Sequence, residues 1–275
     1  MKPSRALPLA LVVAASACAT AATIRLPEGP WAPDPLAAEA FESASAGCRG
    51  VRTLTAEIAV RGRAGEARVR GRVLAGFERG GALRLEAPAP FGAPIFILVS
   101  RADRATLWLP RDRRVLREAP VGDVLDAITG LSRSSDDLLA LLSGCLSSDI
   151  APAAGQGQSS PGGWMAIDLA GGLRAFLARD GGRWRIAAGH RSGAGASWSV
   201  AYAAFSSGFP GSITIRQEPS GGVVAAALTF QVSQLETNVP IDARAFDVAV
   251  PADAQPLTLD ELRQSGPLAD RERGL

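Results

Sequence analysis

His190 is the one histidine of the chain, and Ser192 stands two residues beyond it. A hydroxyl beside an imidazole is the start of a nucleophilic dyad, but the base also needs a group that orients it and a cleft to act in. Here the pair sits in Gly189-His-Arg-Ser-Gly-Ala-Gly, which reads as a Gly-rich turn. Asp136-Asp137 is a paired carboxylate at the start of a helical pattern, where negative charge suits the helix dipole. A catalytic pair would ask for a cleft and a raised pKa as well. Trp108, Trp164, Trp184 and Trp198 fall in strand-like segments, as core, as pocket wall or as platforms for a sugar. With one His, three Cys and no C-x-x-C, a zinc site lacks its ligands. There is no G-x-S-x-G elbow, P-loop, G-x-G-x-x-G or H-E-x-x-H. These residues describe a protein that is not an enzyme and calls for no metal or cofactor.

The elements that carry these residues come from a chain of 275 residues, 47% hydrophobic, 20% charged and 5% aromatic, a globular composition. Basic residues number 29 and acidic residues 27. Lys2, the only lysine, and Arg5 precede every acid; without them the balance is 27 against 27. No basic field spans the molecule, which argues against nucleic acid as a partner.

Lys2 and Arg5 form a positive n-region, followed by the apolar run 6–17, the pattern of a secretory signal peptide over residues 1–17. Ala15-Ser16-Ala17 leads straight into Cys18 and resembles a bacterial lipobox, although Ala15 holds the place where Leu is usual. An acylated Cys18 would hold the protein on a membrane surface. The other reading is ordinary cleavage after a small-residue site. Export implies an oxidising compartment, where Cys48 and Cys145 form a disulfide or remain two buried thiols.

Residues 24–35 hold four prolines and read as an extended tether. A helix is expected from Pro35 to about Gly47, with Asp34 as its cap. The period then becomes two. Leu54, Ala56, Ile58 and Val60 alternate with Thr55, Glu57, Ala59 and Arg61. In the next strand Arg68, Arg70 and Arg72 share one face, a solvated one because no aromatic residues interleave with them. Further strands are expected over 82–87, 94–100, 105–109 and 113–117. Helical spacing returns over 120–130 and 134–144, each stopped by glycine. A flexible loop is expected over 151–163, then strands over 164–169, 173–179, 183–189, 197–205, 212–217, 223–234 and 246–250. About 12 strands and three helices without βαβ alternation predict an α+β, mostly antiparallel sheet with its helices on one face. The small residues Ala56, Ala67, Gly71, Ala175, Ala225 and Ala227 are expected on the inner face, lining space rather than filling it.

The run Arg84-Leu-Glu-Ala-Pro-Ala-Pro-Phe-Gly-Ala-Pro-Ile-Phe resembles the LolA/LolB outer-membrane lipoprotein localisation family, nearest to its LolB-like lipoproteins. So does the segment Leu131–Gly144, ending in Leu-Leu-Ser-Gly, and the tail Asn238-Val-Pro-Ile-Asp-Ala-Arg-Ala-Phe. The resemblance lies in the order of elements over residues 45–255 more than in identities. It implies a curved, incomplete antiparallel β-barrel of about 11 to 12 strands with helices closing the open side over a hydrophobic cavity. The cavity would be lined by Ile58, Val60, Val69, Val73, Leu85 and Ile97 from strands, and by Leu125, Ile128, Leu138 and Leu142 from helices. It would take acyl chains of lipoproteins or lipids. Pro90, Phe91 and Gly92 match a loop whose apolar residue, usually Leu, contacts the membrane. The implied organisation is a lipidated Cys18 and tether (18–35), one domain (36–255) and a C-terminal tail (256–275). The implied role is a protein anchored at the periplasmic face of the outer membrane that assists lipoprotein or lipid transfer. Its partners would be acyl chains, the inner leaflet of the outer membrane and a periplasmic lipoprotein carrier. The alternatives are a structural or assembly lipoprotein that binds a protein through a sheet edge, and a glycolipid carrier.

Overall fold

The computed structural model describes residues 24–150, 152–192, 196–219 and 225–265. The expected signal peptide (1–17) and Cys18 lie outside the described residues. A two-residue strand β1 (Ala32–Pro33) and helix α1 (Ala37–Arg49) precede six strands: β2 (Thr53–Ala64), β3 (Ala67–Glu78), β4 (Ala82–Ala87), β5 (Phe96–Arg101), β6 (Arg104–Leu109) and β7 (Arg114–Pro120). Helices α2 (Val121–Thr129) and α3 (Ser135–Ser143) follow. Seven more strands come next: β8 (Pro152–Ser159), β9 (Met165–Leu169), β10 (Leu173–Asp180), β11 (Arg183–Arg191), β12 (Ala196–Ser206), β13 (Phe209–Pro219) and β14 (Ala226–Thr237). A two-residue β15 (Gln255–Pro256) and helix α4 (Leu259–Ser265) end the described chain.

All the strands form one sheet in the order β1-β8-β9-β10-β11-β12-β13-β14-β2-β3-β4-β5-β6-β7-β15, not closed on itself. Neighbours are antiparallel except β7 and β15. The join between halves is β14 against β2, with Phe230 opposite Val60 and Val232 opposite Ile58. This order explains the lid. β7 and β8 stand near opposite ends of the sheet, so the segment between them must cross it. That segment is α2 and α3, and the crossing lays their apolar faces over the sheet.

Local chemistry sets where these helices start and stop. Ser134 accepts a hydrogen bond from the Asp137 backbone N–H at 3.1 Å and caps α3. Gly130 and Gly144 end α2 and α3 in the left-handed region, at φ +73° and +94°. Val121, Val124, Leu125 and Ile128 are buried along one face of α2, as their spacing predicts. The start of α3 is tied down: the Ser135 N–H donates to Asp103 Oδ1 at 3.1 Å, and its hydroxyl lies 2.9 Å from that of Ser100.

Helix α1 lies on the β8–β11 part of the sheet. Cys48, in its last turn, forms a disulfide with Cys145, just beyond α3, across a Cα–Cα distance of 5.6 Å. The bridge is the first of the two alternatives left by the sequence.

Several expectations are corrected. The segment 151–163 holds β8, which pairs with β9 and β1 through the backbone. Residues 246–250 form no strand: a 3-10 turn covers Ala243–Phe246, with Asp242 capping it. Phe246 is buried there, while the Arg84 and Arg101 side chains donate to the carbonyls of Ala245, Asp247 and Ala243. Helix α1 begins after Pro35, and Asp34 accepts from the Leu36 N–H ahead of it. Residues assigned to a tether and a tail take part in the packing. Trp31 meets Phe176 with ring centroids 6.0 Å apart, and Leu257 and Leu262 are buried.

Candidate functional site

Between the helical lid and the sheet lies an apolar space. The sheet wall consists of Ile58 and Val60 on β2, Val73 and Phe77 on β3, Leu85 on β4, and Phe96 on β5. Ile213 and Ile215 of β13 and Phe230 of β14 extend it. The roof is Leu125, Ile128 and Thr129 of α2, Leu131 beyond it, and Leu138, Leu141 and Leu142 of α3. Alternation puts these strand residues on one face. Of the sixteen lining residues only Thr129 carries a polar side chain, and its hydroxyl is bound to the Leu125 carbonyl at 2.7 Å. The space measures about 750 Å³ counted out to its mouth, with about 80 Å³ clear of the walls by a water radius. It is therefore a narrow slot. Water would find almost no partner inside it.

The structure brings together Ile58, Val60, Val73, Leu85, Leu125, Ile128, Leu138 and Leu142 around this space. It leaves out two of the expected residues. Ile97 faces the other side of the sheet, because β5 turns Phe96 and Leu98 inward. Val69 is buried opposite Gly62, nearer the start of β3 than the lining residues Val73 and Phe77. Sequence reasoning missed Phe77, Phe96, Leu131, Ile213, Ile215 and Phe230 among others; the alternation Ile213-Thr-Ile215 was the available signal. The small-residue expectation is corrected in its second part: Ala56 shares the buried face of Ile58 and Val60 and Ala175 is buried, but these residues do not line the space. None of Ala56, Ala67, Gly71, Ala175, Ala225 and Ala227 lines the space, whose walls are branched and aromatic.

The loop between β4 and β5 hangs from the strands that carry Leu85 and Phe96. Pro90, Phe91 and Gly92 are all exposed, and the Phe91 side chain is turned out to solvent with the residue 88% exposed. Arg111 braces the loop by donating to the carbonyls of Phe91 and Ala93 at 3.1 and 3.3 Å.

The polar candidates are occupied otherwise. Asp136 accepts from the Gly80 and Gly81 N–H groups, at 3.0 and 3.4 Å, and ties α3 to the β3–β4 turn. Asp137 accepts from the Ser147 hydroxyl at 2.8 Å and from the Ser148 N–H and hydroxyl at 2.9 and 3.0 Å. Burial pushes the Asp137 carboxyl upward, but the hydrogen bonds from Ser148, Ser147 and Ser134 outweigh it and hold it below its ordinary value. The two carboxylates thus serve different contacts. His190 Nε2 and Ser192 Oγ do meet, at 2.8 Å. The other ring nitrogen is buried, and among the described residues it has no partner that would orient the imidazole as a base. No cluster of three or more potential metal ligands occurs among the described residues.

No protein-family model matches the sequence, and no curated protein matches it. Solved structures do. A LolA superfamily protein from Nitrosomonas europaea aligns at a TM-score of 0.50 and 10% identity, covering 76% of this chain and 97% of its own. A DUF1329 family protein from Desulfovibrio piger aligns at 0.41 and 11% identity, over 74% and 97% of the two chains. The lipoprotein LppX of Mycobacterium tuberculosis aligns at 0.29 and 12%, over 76% and 100%. At these identities the likeness concerns architecture, and the first alignment carries it. What this chain shares with the LolA superfamily is its fold, an incomplete curved antiparallel barrel with helices across the open side.

Proposed function

We propose that the protein is an envelope lipoprotein that takes an acyl chain into the space beneath α2 and α3 and assists its transfer to the outer membrane. The observation that carries this reading is the apolar slot itself, lined by fifteen apolar side chains and one threonine whose hydroxyl is already bonded. A hydrocarbon chain needs no polar partner. Each buried CH₂ contributes about 0.8 kcal/mol, so a long chain gains roughly 10 kcal/mol before ordering costs. The slot is too narrow for a whole chain as it stands, so entry entails separation of the lid from the sheet. Part of the gain is spent on that movement.

In this reading acylated Cys18 anchors the protein to the inner leaflet of the outer membrane, and a periplasmic carrier supplies the cargo. Phe91 enters the membrane interface at handover, which suits an exposed aromatic residue on a braced loop. Mass spectrometry of the native protein tests the anchor and the cargo together. It should find acyl groups on Cys18 and a co-purified lipid. Delipidated protein should retain acyl chains in a one-to-one ratio and deliver them to vesicles. Phe91→Glu should keep retention and lose delivery. Absence of retention would overturn the carrier reading and leave a scaffold.

A further inference from the structure

Among the described residues seven contacts set an arginine over an aromatic ring, and most of those arginines also have an acceptor. Arg49 pairs with Glu42, Arg174 with Asp168, and Arg179 and Arg185 donate to the carbonyls of Gly182 and Gly208. Arg133 and Arg191 differ. Both lie against Trp198, with Cζ 4.4 and 5.8 Å from the ring centroid. Neither forms an ion pair or a side-chain hydrogen bond among the described residues, and the Nε of each is buried without a partner. Trp198 is 6% exposed, and its Nε1 is likewise buried and unpartnered. The nearby acid, Asp137, is taken up by Ser147 and Ser148. Burial draws the Arg133 guanidinium below its ordinary value; Asp137 opposes this, and Arg191 adds to it by repulsion. Two like charges and a buried indole N–H are therefore gathered with no ion pair, Asp137 acting on Arg133 only from beyond contact, an arrangement that costs stability.

The cluster adjoins the slot. Leu131 of the roof precedes Arg133 by two residues. On the sheet, β12 pairs with β13, where Val200 faces Ile215 of the slot wall and Trp198 faces Gln217. Arg191 is the β11 partner of Trp198. A guanidinium that lies over an aromatic ring without an acceptor still has N–H groups to offer an oxyanion. We infer that Arg133 and Arg191, held on Trp198, bind the anionic head, a carboxylate or phosphate, of the ligand whose acyl chain occupies the slot. This rests on the acyl-binding reading and adds a charge requirement to it.

Oleate and oleyl alcohol separate the two, because they differ only in the head. Wild-type protein should bind both, and oleate more tightly. R133Q/R191Q should weaken oleate binding by about tenfold or more, the worth of a charge-assisted hydrogen bond, and leave oleyl alcohol unchanged. The Tm of the variant should be unchanged or raised, since the burial cost and mutual repulsion of two like charges are removed. Should the double variant fail to fold, R191Q alone and inorganic phosphate give the same reading: phosphate should raise the wild-type Tm and compete with oleate, not with oleyl alcohol. Equal binding of the two ligands, with no effect of the substitutions, would overturn the head site and leave the slot standing. Phosphate protection without competition would mark a separate anion site and overturn the inference as stated. Binding of neither ligand would remove the acyl-binding reading and this inference with it.

Discussion

Helices meet the sheet in two ways in this molecule. Over β8–β11, α1 and the segment after α3 press directly onto the strands. A Cβ at Gly157 would collide with the Cβ of Ala37 in α1, and one at Gly189 would come within 2.5 Å of Leu146. Ala175 beneath is fully buried, and the Cys48–Cys145 bridge staples the layer. Over β2–β5, α2 and α3 face Ile58, Val60, Val73, Phe77, Leu85 and Phe96, and a slot remains. Small residues here close space, because they let backbones approach. Branched and aromatic residues hold the lid off and leave space between them. The filled half serves as a frame, and the propped half is free to take a guest.

The largest effect should come from breaking the staple of the filled half. Cys48→Ser with Cys145→Ser opens a bridge between residues 97 apart and should cost about 2–5 kcal/mol in denaturant unfolding. A loss below about 1 kcal/mol would deny the frame its staple. Next come matched enlargements in the two halves. Gly157→Ala should cost about 1–3 kcal/mol, because Ala37 yields only if the helix moves. Val73→Phe, on the slot wall, should stay within about 1 kcal/mol of wild type or stabilise it, while abolishing acyl retention. Equal losses at both sites would erase the contrast.

A smaller effect concerns the fastening of the lid. Asp137 is held below its ordinary pKa, so its stabilising contribution is complete above the unfolded value of about 3.9 and fades as pH falls through the folded one. Asp137→Asn should cost about 1 kcal/mol near neutrality, on the scale of a capping contact, and the gap to wild type should close in acid. A gap that persists unchanged below both pKa values would assign the role to packing. Phe91→Glu should be the smallest, within about 0.5 kcal/mol, as befits a side chain exposed to solvent.

Much of this was legible in the sequence, for physical reasons. The alternation in β2 and the spacing in α2 report burial on one face, so the inward residues Ile58, Val60, Leu125 and Ile128 could be picked out directly. β8 escaped because its Ala, Gly, Gln and Ser residues give no apolar alternation, and its pairing is carried by the backbone. Residues 246–250 misled because Phe246 is buried by a turn, and a lone buried aromatic residue looks the same in either setting. The meaning of the alanines and glycines was inverted, since a composition cannot tell whether a small side chain faces a void or a closely packed neighbour. Arg133, Arg191 and Trp198 come from a connection and two strands, and no local pattern announces their meeting.

The central claim is that a hydrocarbon tail lodges between α2–α3 and β2–β5. Crystals of the delipidated protein soaked with a fatty acid brominated along its chain would locate that tail by the anomalous signal of bromine. The account predicts bromine between Leu142 or Ile128 on one side and Val73 or Phe96 on the other, with the lid displaced outward. Bromine confined to the outer face of the sheet, or absent from a protein that is saturated in solution, would contradict it.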